Sequence, residues 1–194
     1  DGIGMTAAAK LVTGVNIQKI AGADFHEHTI EELGRRKGRC FYLGSSEATL
    51  LKIKERLLRE QPNLQVEFYS PPFKDKLEKA DTLKMVKAVN AFKPDVLFIG
   101  MTAPKQEKWA IANKDQLNVK VISSIGAVFD FYAGTVKRPS KMLIALKLEW
   151  FGRLMKEPQR MWKRYLLYGP YFIYLILCQK FSTTKPKQIL IRDI

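Results

Sequence analysis

The stretch from Pro94 to Pro139 limits what this chain can fold into more than any other. Val96-Leu97-Phe98-Ile99 is an uninterrupted apolar run, the pattern of a strand covered on both faces. Gly100 ends it. Pro104 then fits only the first turn of a helix, where its missing N–H removes no bond. A second apolar run starts at Val119, and Lys120 to Ile125 again has strand character. It opens into Gly126-Ala127-Val128-Phe129-Asp130-Phe131-Tyr132-Ala133-Gly134. Two strands whose C-terminal ends lead into glycine turns and helices describe the rim of a parallel α/β sheet, where ligands bind.

The preceding chain supplies the rest of that sheet. Asp1 to Gly4 reads as a turn, Met5 to Val12 as a helix stopped by Gly14, Ile17 to Phe25 as a connector, and Glu27 to Lys37 as a helix ending at Gly38. His26 and His28 read as polar helix-entry residues, because no third ligand follows at a metal-binding spacing. Cys40 to Leu43 is a strand and Gly44-Ser45-Ser46 its turn, with Ser46 able to cap a helix running to Glu60. The apolar face of that helix is assigned to Ala48, Leu51, Ile53, Leu57 and Leu58. Leu64 to Tyr69 is the next strand. Asp75 to Phe92 is the next helix, with Leu77, Leu83, Val86, Val89 and Phe92 as its stripe. The alternation of strands and helices calls for right-handed crossovers and a Rossmann-like parallel sheet flanked by helices.

The 194 residues, 46% hydrophobic and 27% charged, suit one α/β domain with an extension. The net charge of +14 asks for an anionic partner. The charge is concentrated: residues 137–194 hold 13 Lys and Arg against 3 Asp and Glu, a net of +10. Arg153, Lys156, Arg160 and Lys163 or Arg164 recur at steps of three and four, which puts them on one helical face. Trp150, Leu154, Met161 and Tyr165 form a neighbouring apolar stripe, and Pro158 is expected to kink or divide the helix. Tyr165 to Cys178 is 14 uncharged residues broken by Gly169-Pro170. That is too short to span a bilayer and suited to its interface. The expected division is an α/β domain over 1–136 and a basic, amphipathic helical appendage over 137–194. Cys40 and Cys178 read as reduced thiols. The chain begins at Asp1 in a glycine turn, and the expectation is a fragment that lacks upstream structure.

No Ser–His–Asp order, P-loop, Cys/His cluster or Asp-x-Asp pair occurs. Chemistry is left to Asp1 and to the Gly44, Gly100–Glu107 and Gly126–Gly134 turns, whose backbone N–H groups suit phosphate. A basic nucleic-acid-binding protein would spread its charge along a groove with interleaved aromatics. Here the charge lies beside an apolar stretch, which suits anionic lipid. A non-catalytic basic protein at a membrane or on nucleic acid is the alternative reading.

Several blocks occur together in order: Asp1-Gly2-x-Gly4; Ile20-Ala21-Gly22-Ala23-Asp24; Ala103-Pro104-Lys105-Gln106-Glu107-Lys108-Trp109; Phe129-Asp130-Phe131-x-Ala133-Gly134; Lys137-Arg138; and Leu148-Glu149-Trp150 through Arg153-Leu154 to Glu157-Pro158-x-Arg160. This order resembles the WecG/TagA/CpsF glycosyltransferases up to about Tyr168. The chain departs from the family in lacking an upstream Thr-Pro-Asn-like motif, in carrying Lys19 where Arg is usual, and in Met101-Thr102 and Ser70-Pro71-Pro72-Phe73. The resemblance implies a bacterial enzyme at the inner face of the cell membrane, peripheral and cytoplasmic, that builds teichoic acid, common antigen or capsule. It implies transfer of N-acetylmannosamine, or its uronic acid, from a UDP-N-acetylhexosamine donor to a polyprenyl-diphosphate-linked GlcNAc, with no cofactor and no nucleic acid. Asp1 resembles the family's base, and direct attack with one base implies inversion. Without an Asp-x-Asp pair no metal is expected, and Arg153, Arg160 and Arg164 (or Lys163) are left to stabilise the departing UDP. Gly44, Gly100, Gln106, Glu107, Gly126, Asp130 and Lys19 are the remaining substrate-binding candidates. Self-association into a homo-oligomer stays open.

Overall fold

The computed structural model describes residues 2–74, 76–136, 154–155, 158–162 and 166–181. The chain divides into two compact units, Ala21–Arg138 and Asp1–Ile20 with Pro139–Ile194.

The first unit is the α/β body. Its elements are α2 (Gly22–Arg35), β1 (Arg39–Leu43), α3 (Glu47–Glu60), β2 (Gln65–Tyr69), α4 (Lys79–Phe92), β3 (Val96–Ile99), α5 (Lys105–Asn113), β4 (Val121–Ser124) and α6 (Val128–Tyr132). All strand pairs are parallel, in the order β2-β1-β3-β4. The chain therefore leaves β1 in one direction through α3 and returns past it through α4, so the order reverses between β1 and β3. The period-two alternation of a strand sorts the core into two layers. Cys40, Tyr42, Val96 and Phe98 meet α2, α3 and Phe129 on one face. Phe41, Leu43, Leu97 and Ile99 meet α4 and Trp109 on the other. Burying one such Leu, Ile or Phe contributes about 1.5–3 kcal/mol, and every residue of β3 is buried.

Local sequence explains most element ends. Ser46 caps α3 by accepting from the Thr49 N–H at 3.3 Å, the bond expected of a serine N-cap. Glu78 and Asp81 make a reciprocal capping box at the start of α4, so that helix begins after the expected Asp75. The buried stripe of α3 is Thr49, Leu50, Ile53 and Leu57. Leu51 and Leu58 are half exposed, contrary to the face assigned above; the contiguous apolar pair Leu50-Leu51 offers two phases, and packing selects one. In α4, Met85 takes a core place and Leu83 stays outside.

The second unit holds α1 (Gly2–Thr13), α7 (Pro158–Trp162) and α8 (Tyr168–Phe181). Gly2 to Gly4 is helical rather than a turn. A Cβ on Gly4 would lie at ordinary contact distance, 3.6 Å, from the Phe172 ring of α8, so α1 and α8 pack directly. α7 starts at Pro158; residues 156–157, on which the expected division of the helix depends, lie outside the described residues. Gly169-Pro170 does not interrupt α8, because both lie in its first turn, where proline is tolerated. Among the described residues no helix is long and apolar enough to cross a membrane.

Candidate functional site

Three glycine turns converge where β1 and β3 end, at the point of strand-order reversal that favours ligand binding in open α/β sheets. Gly44 follows β1 with φ +109°, a conformation that side chains rarely adopt. A Cβ there would lie 2.8 Å from Met101 Cγ and 2.9 Å from the Gly100 carbonyl carbon. The Gly44 backbone thus packs against the Gly100 backbone and the Met101 side chain, with no room for a side chain at position 44. Ser45 also has positive φ, +66°, and its carbonyl accepts from the Ser70 hydroxyl at 2.9 Å, which ties the end of β2 to the same turn. Ser45 and Ser70 were not distinguished by sequence; a serine in the left-handed region leaves no compositional mark.

Gly100 meets the third turn from the other side. The Phe129 ring covers it so closely that a Cβ would stand 2.3 Å from the nearest ring carbon. Gly126, with φ +51°, faces the Gln106 amide: a Cβ there would lie 3.5 Å from both amide atoms. Gln106 is 94% buried, being 6% exposed. Its Nε2 donates to Glu107 Oε1 at 2.7 Å. Gln106 Oε1 and Glu107 Oε2 are buried and have no hydrogen-bond partner among the described residues. Buried acceptors are normally satisfied, so two orphaned acceptors side by side at a ligand-binding edge mark a place that takes N–H or O–H donors.

Asp130 lies on α6, the short helix that leaves the Gly126 turn. Burial pushes its carboxyl above the usual carboxylate range, and a Thr135 hydrogen bond opposes the shift. Beneath α6, His26 Nε2 and Tyr42 Oη hydrogen-bond at 2.7 Å. His26 is buried within α2, which starts at Gly22, and is not the polar helix-entry residue expected. Burial and then the nearby Arg56 charge lower its pKa to about 4, with Glu60 opposing. The imidazole is therefore neutral at pH 7, a core group satisfied by Tyr42.

The rim thus brings together Gly44, Gly100, Gln106, Glu107 and Gly126, with Asp130 on the adjoining helix. Lys19, half-buried, belongs to the other unit. Asp1, Arg153 and Arg164 lie outside the described residues, as do Lys163 and the Arg160 side chain.

Residues 1–186 match the model of the "Glycosyl transferase WecG/TagA/CpsF family". The chain is 30% identical over 185 residues to a Bacillus subtilis (strain 168) protein, covering 95% of this chain and 70% of that one. A Bacillus spizizenii relative is 29% identical over 187 residues, covering 96% and 70%. A Staphylococcus aureus (strain MW2) relative is 26% identical over 189 residues, covering 96% and 71%. All three are named N-acetylglucosaminyldiphosphoundecaprenol N-acetyl-beta-D-mannosaminyltransferase.

Proposed function

The chain belongs to the WecG/TagA/CpsF family of glycosyl transferases, and on that premise we propose that it moves N-acetylmannosamine from UDP to a polyprenyl-diphosphate-linked GlcNAc. The product would enter bacterial teichoic acid or a related envelope polymer. The acceptor part rests on the names of its relatives. The observation that carries the nucleotide part is the pair of orphaned acceptors, Gln106 Oε1 and Glu107 Oε2, at the switch point. They suit the imide N–H of a uracil or the hydroxyls of a ribose. The N–H groups of the surrounding glycine turns suit the diphosphate.

Transfer needs a base for the acceptor hydroxyl, compensation for the departing diphosphate, and alignment of the anomeric carbon. Asp1 takes the acceptor proton, and a single displacement inverts the anomeric centre. Arg153, Arg160 and Arg164 neutralise the leaving UDP, since their forked donors match phosphate oxygens, and no divalent metal is needed. Lys19 adds a further cation toward the substrates. The basic last third of the chain and the apolar surface of α8 hold the enzyme on the cytoplasmic face of the membrane, where the lipid acceptor lies.

The test is turnover of UDP-N-acetylmannosamine with a synthetic lipid-diphosphate GlcNAc acceptor, followed by mass spectrometry in the presence and absence of EDTA. Product is expected in both. Asp1→Asn should lower turnover on the order of 10²-fold while UDP still binds. No product from any UDP-hexosamine would sink the reading. Loss of product on chelation, restored by Mg²⁺, would remove its metal-free part.

A further inference from the structure

Behind the rim, three side chains close a ring between α3 and α6. Arg56 Nε donates to Glu60 Oε1 at 2.6 Å, and the Tyr132 hydroxyl donates to Glu60 Oε2 at 2.7 Å. The Arg56 guanidinium lies 4.1 Å above the Tyr132 ring, and its Nη1 donates to the Tyr132 carbonyl at 2.9 Å. Arg56 and Glu60 are one turn apart on α3, and Tyr132 is the last residue of α6. The last carbonyls of a helix have no partner within it, and a cation beside them is favourable. Arg56 supplies both.

α6 is only five residues long and cannot hold itself, because helix nucleation is unfavourable. Its inner side is anchored by Phe129, which packs edge-on against Tyr42 at 5.2 Å and covers Gly100. On another side it borders a cleft of about 310 Å³ lined by His26, Glu27, Arg56, Glu60, Phe131 and Tyr132. On that side the Tyr132 ring meets His26 edge-on at 4.8 Å, and beyond that contact the cleft is bridged by the ring of contacts to Arg56 and Glu60.

We infer that Arg56, Glu60 and Tyr132 are positioning residues for the nucleotide site, clasping α6 so that Asp130 and the Gly126 turn keep their places at the rim. This role rests on the nucleotide reading given above. It separates from ordinary stabilisation in one respect. Half-exposed ion pairs add little to global stability, whereas a displaced contact group weakens a bound ligand strongly. Loosening the clasp should therefore reach UDP binding before it reaches folding.

The experiment uses the intact chain and UDP titrated by calorimetry. Arg56→Lys keeps the charge and loses the fork; Tyr132→Phe loses only the hydroxyl. Val89→Ala, a cavity in the core on the opposite face of the sheet, serves as the stability control. Both clasp variants should bind UDP about tenfold more weakly with nearly unchanged Tm, the scale expected for displacement of a contacting element. Their Phe131 and Ala133 amides, which close α6, should exchange hydrogen faster. Val89→Ala should lower Tm and leave UDP affinity alone. Equal UDP affinity in wild type and clasp variants overturns the inference, as does an equal loss in Val89→Ala. If the wild-type chain does not bind UDP, the nucleotide reading falls, and this role with it.

Discussion

The ring of Phe129 stands where a side chain on residue 100 would have to go, 2.3 Å from the position of a Cβ. Phe129 is itself buried, with 1% exposure, so it has nowhere to retreat. One aromatic residue on α6 and one glycine at the end of β3 therefore set the spacing between two of the three turns that make the rim.

Gly100→Ala should accordingly be destabilising by about 1–3 kcal/mol, the range for overpacking a filled core, measured as a lower urea midpoint with unchanged m-value. Gly134→Ala makes the comparison. Gly134 has φ +72° with nothing near its Cβ position, so only backbone strain of roughly 1–2 kcal/mol applies. Gly100→Ala should also weaken UDP binding, and Gly134→Ala should not. Equal effects of the two on UDP would contradict a rim built on the Gly100–Phe129 contact.

How much of this was legible in the sequence depends on range. β3 occupies Val96–Ile99, the run that apolar composition marks, and Ser46 caps α3 as its residue type demands. These are local effects. The glycines at 44, 100 and 126 announce turns, and strand-helix alternation puts those turns on one edge of the sheet. The contacts that give the turns their geometry are not local. Phe129 is 29 positions from Gly100, and Tyr132 is 76 from Arg56. His26 looks polar in sequence and is buried because Tyr42, 16 positions away, completes its hydrogen bonding. The bond between Gln106 and Glu107 joins neighbours, yet the orphaned oxygens beside it become visible only once the surrounding atoms are placed. Asp1 and the arginines of the last third rest on resemblance and lie outside the described residues.

Gln106→Met should lower UDP affinity roughly tenfold, the loss expected for one ligand hydrogen bond. Tm should fall only modestly: the substitution removes a buried acceptor that has no partner among the described residues, but also the Nε2 donor to Glu107 Oε1, and leaving that oxygen unpaired costs about 1–3 kcal/mol. Calorimetry and a thermal melt on the same sample decide it. A variant that melts much lower and binds UDP normally would make Gln106 a structural residue.

Acid should act through His26. Its folded pKa is lowered from 6.5 to about 4, so between those values the unfolded chain binds the proton and the folded chain does not. Stability is then full above about pH 6.5 and is lost as pH falls toward 4. The linked loss is about 3 kcal/mol for a shift of this size. His26→Gln, which can still hydrogen-bond Tyr42, should be less stable at pH 7 but should show a shallower decline in urea-unfolding free energy from pH 7 to 4. Parallel curves for the two proteins would mean that other groups carry the acid response.

The last expectation concerns α8. Tyr171, Ile173, Tyr174, Leu175, Leu177 and Phe181 are all more than 40% exposed, and they cover the broad side of a 14-residue helix that faces away from Phe172, the residue that meets α1. Such a helix is about 21 Å long, shorter than the hydrocarbon core of about 30 Å. Its apolar surface therefore suits a place along the interface and not across the bilayer. The net +10 of residues 137–194 adds attraction to anionic lipid of about 1 kcal/mol per basic residue near the surface. Both terms should be visible separately in vesicle co-sedimentation. Binding to phosphatidylglycerol vesicles should fall as salt rises, since screening weakens the electrostatic part. Ile173→Glu with Leu177→Glu should weaken binding at every salt concentration, because burial of each residue contributes on the order of 1.5–3 kcal/mol. Salt-insensitive binding would remove the basic segment from the interaction. Equal binding by the double variant would remove α8, and would leave its exposed apolar surface to another partner.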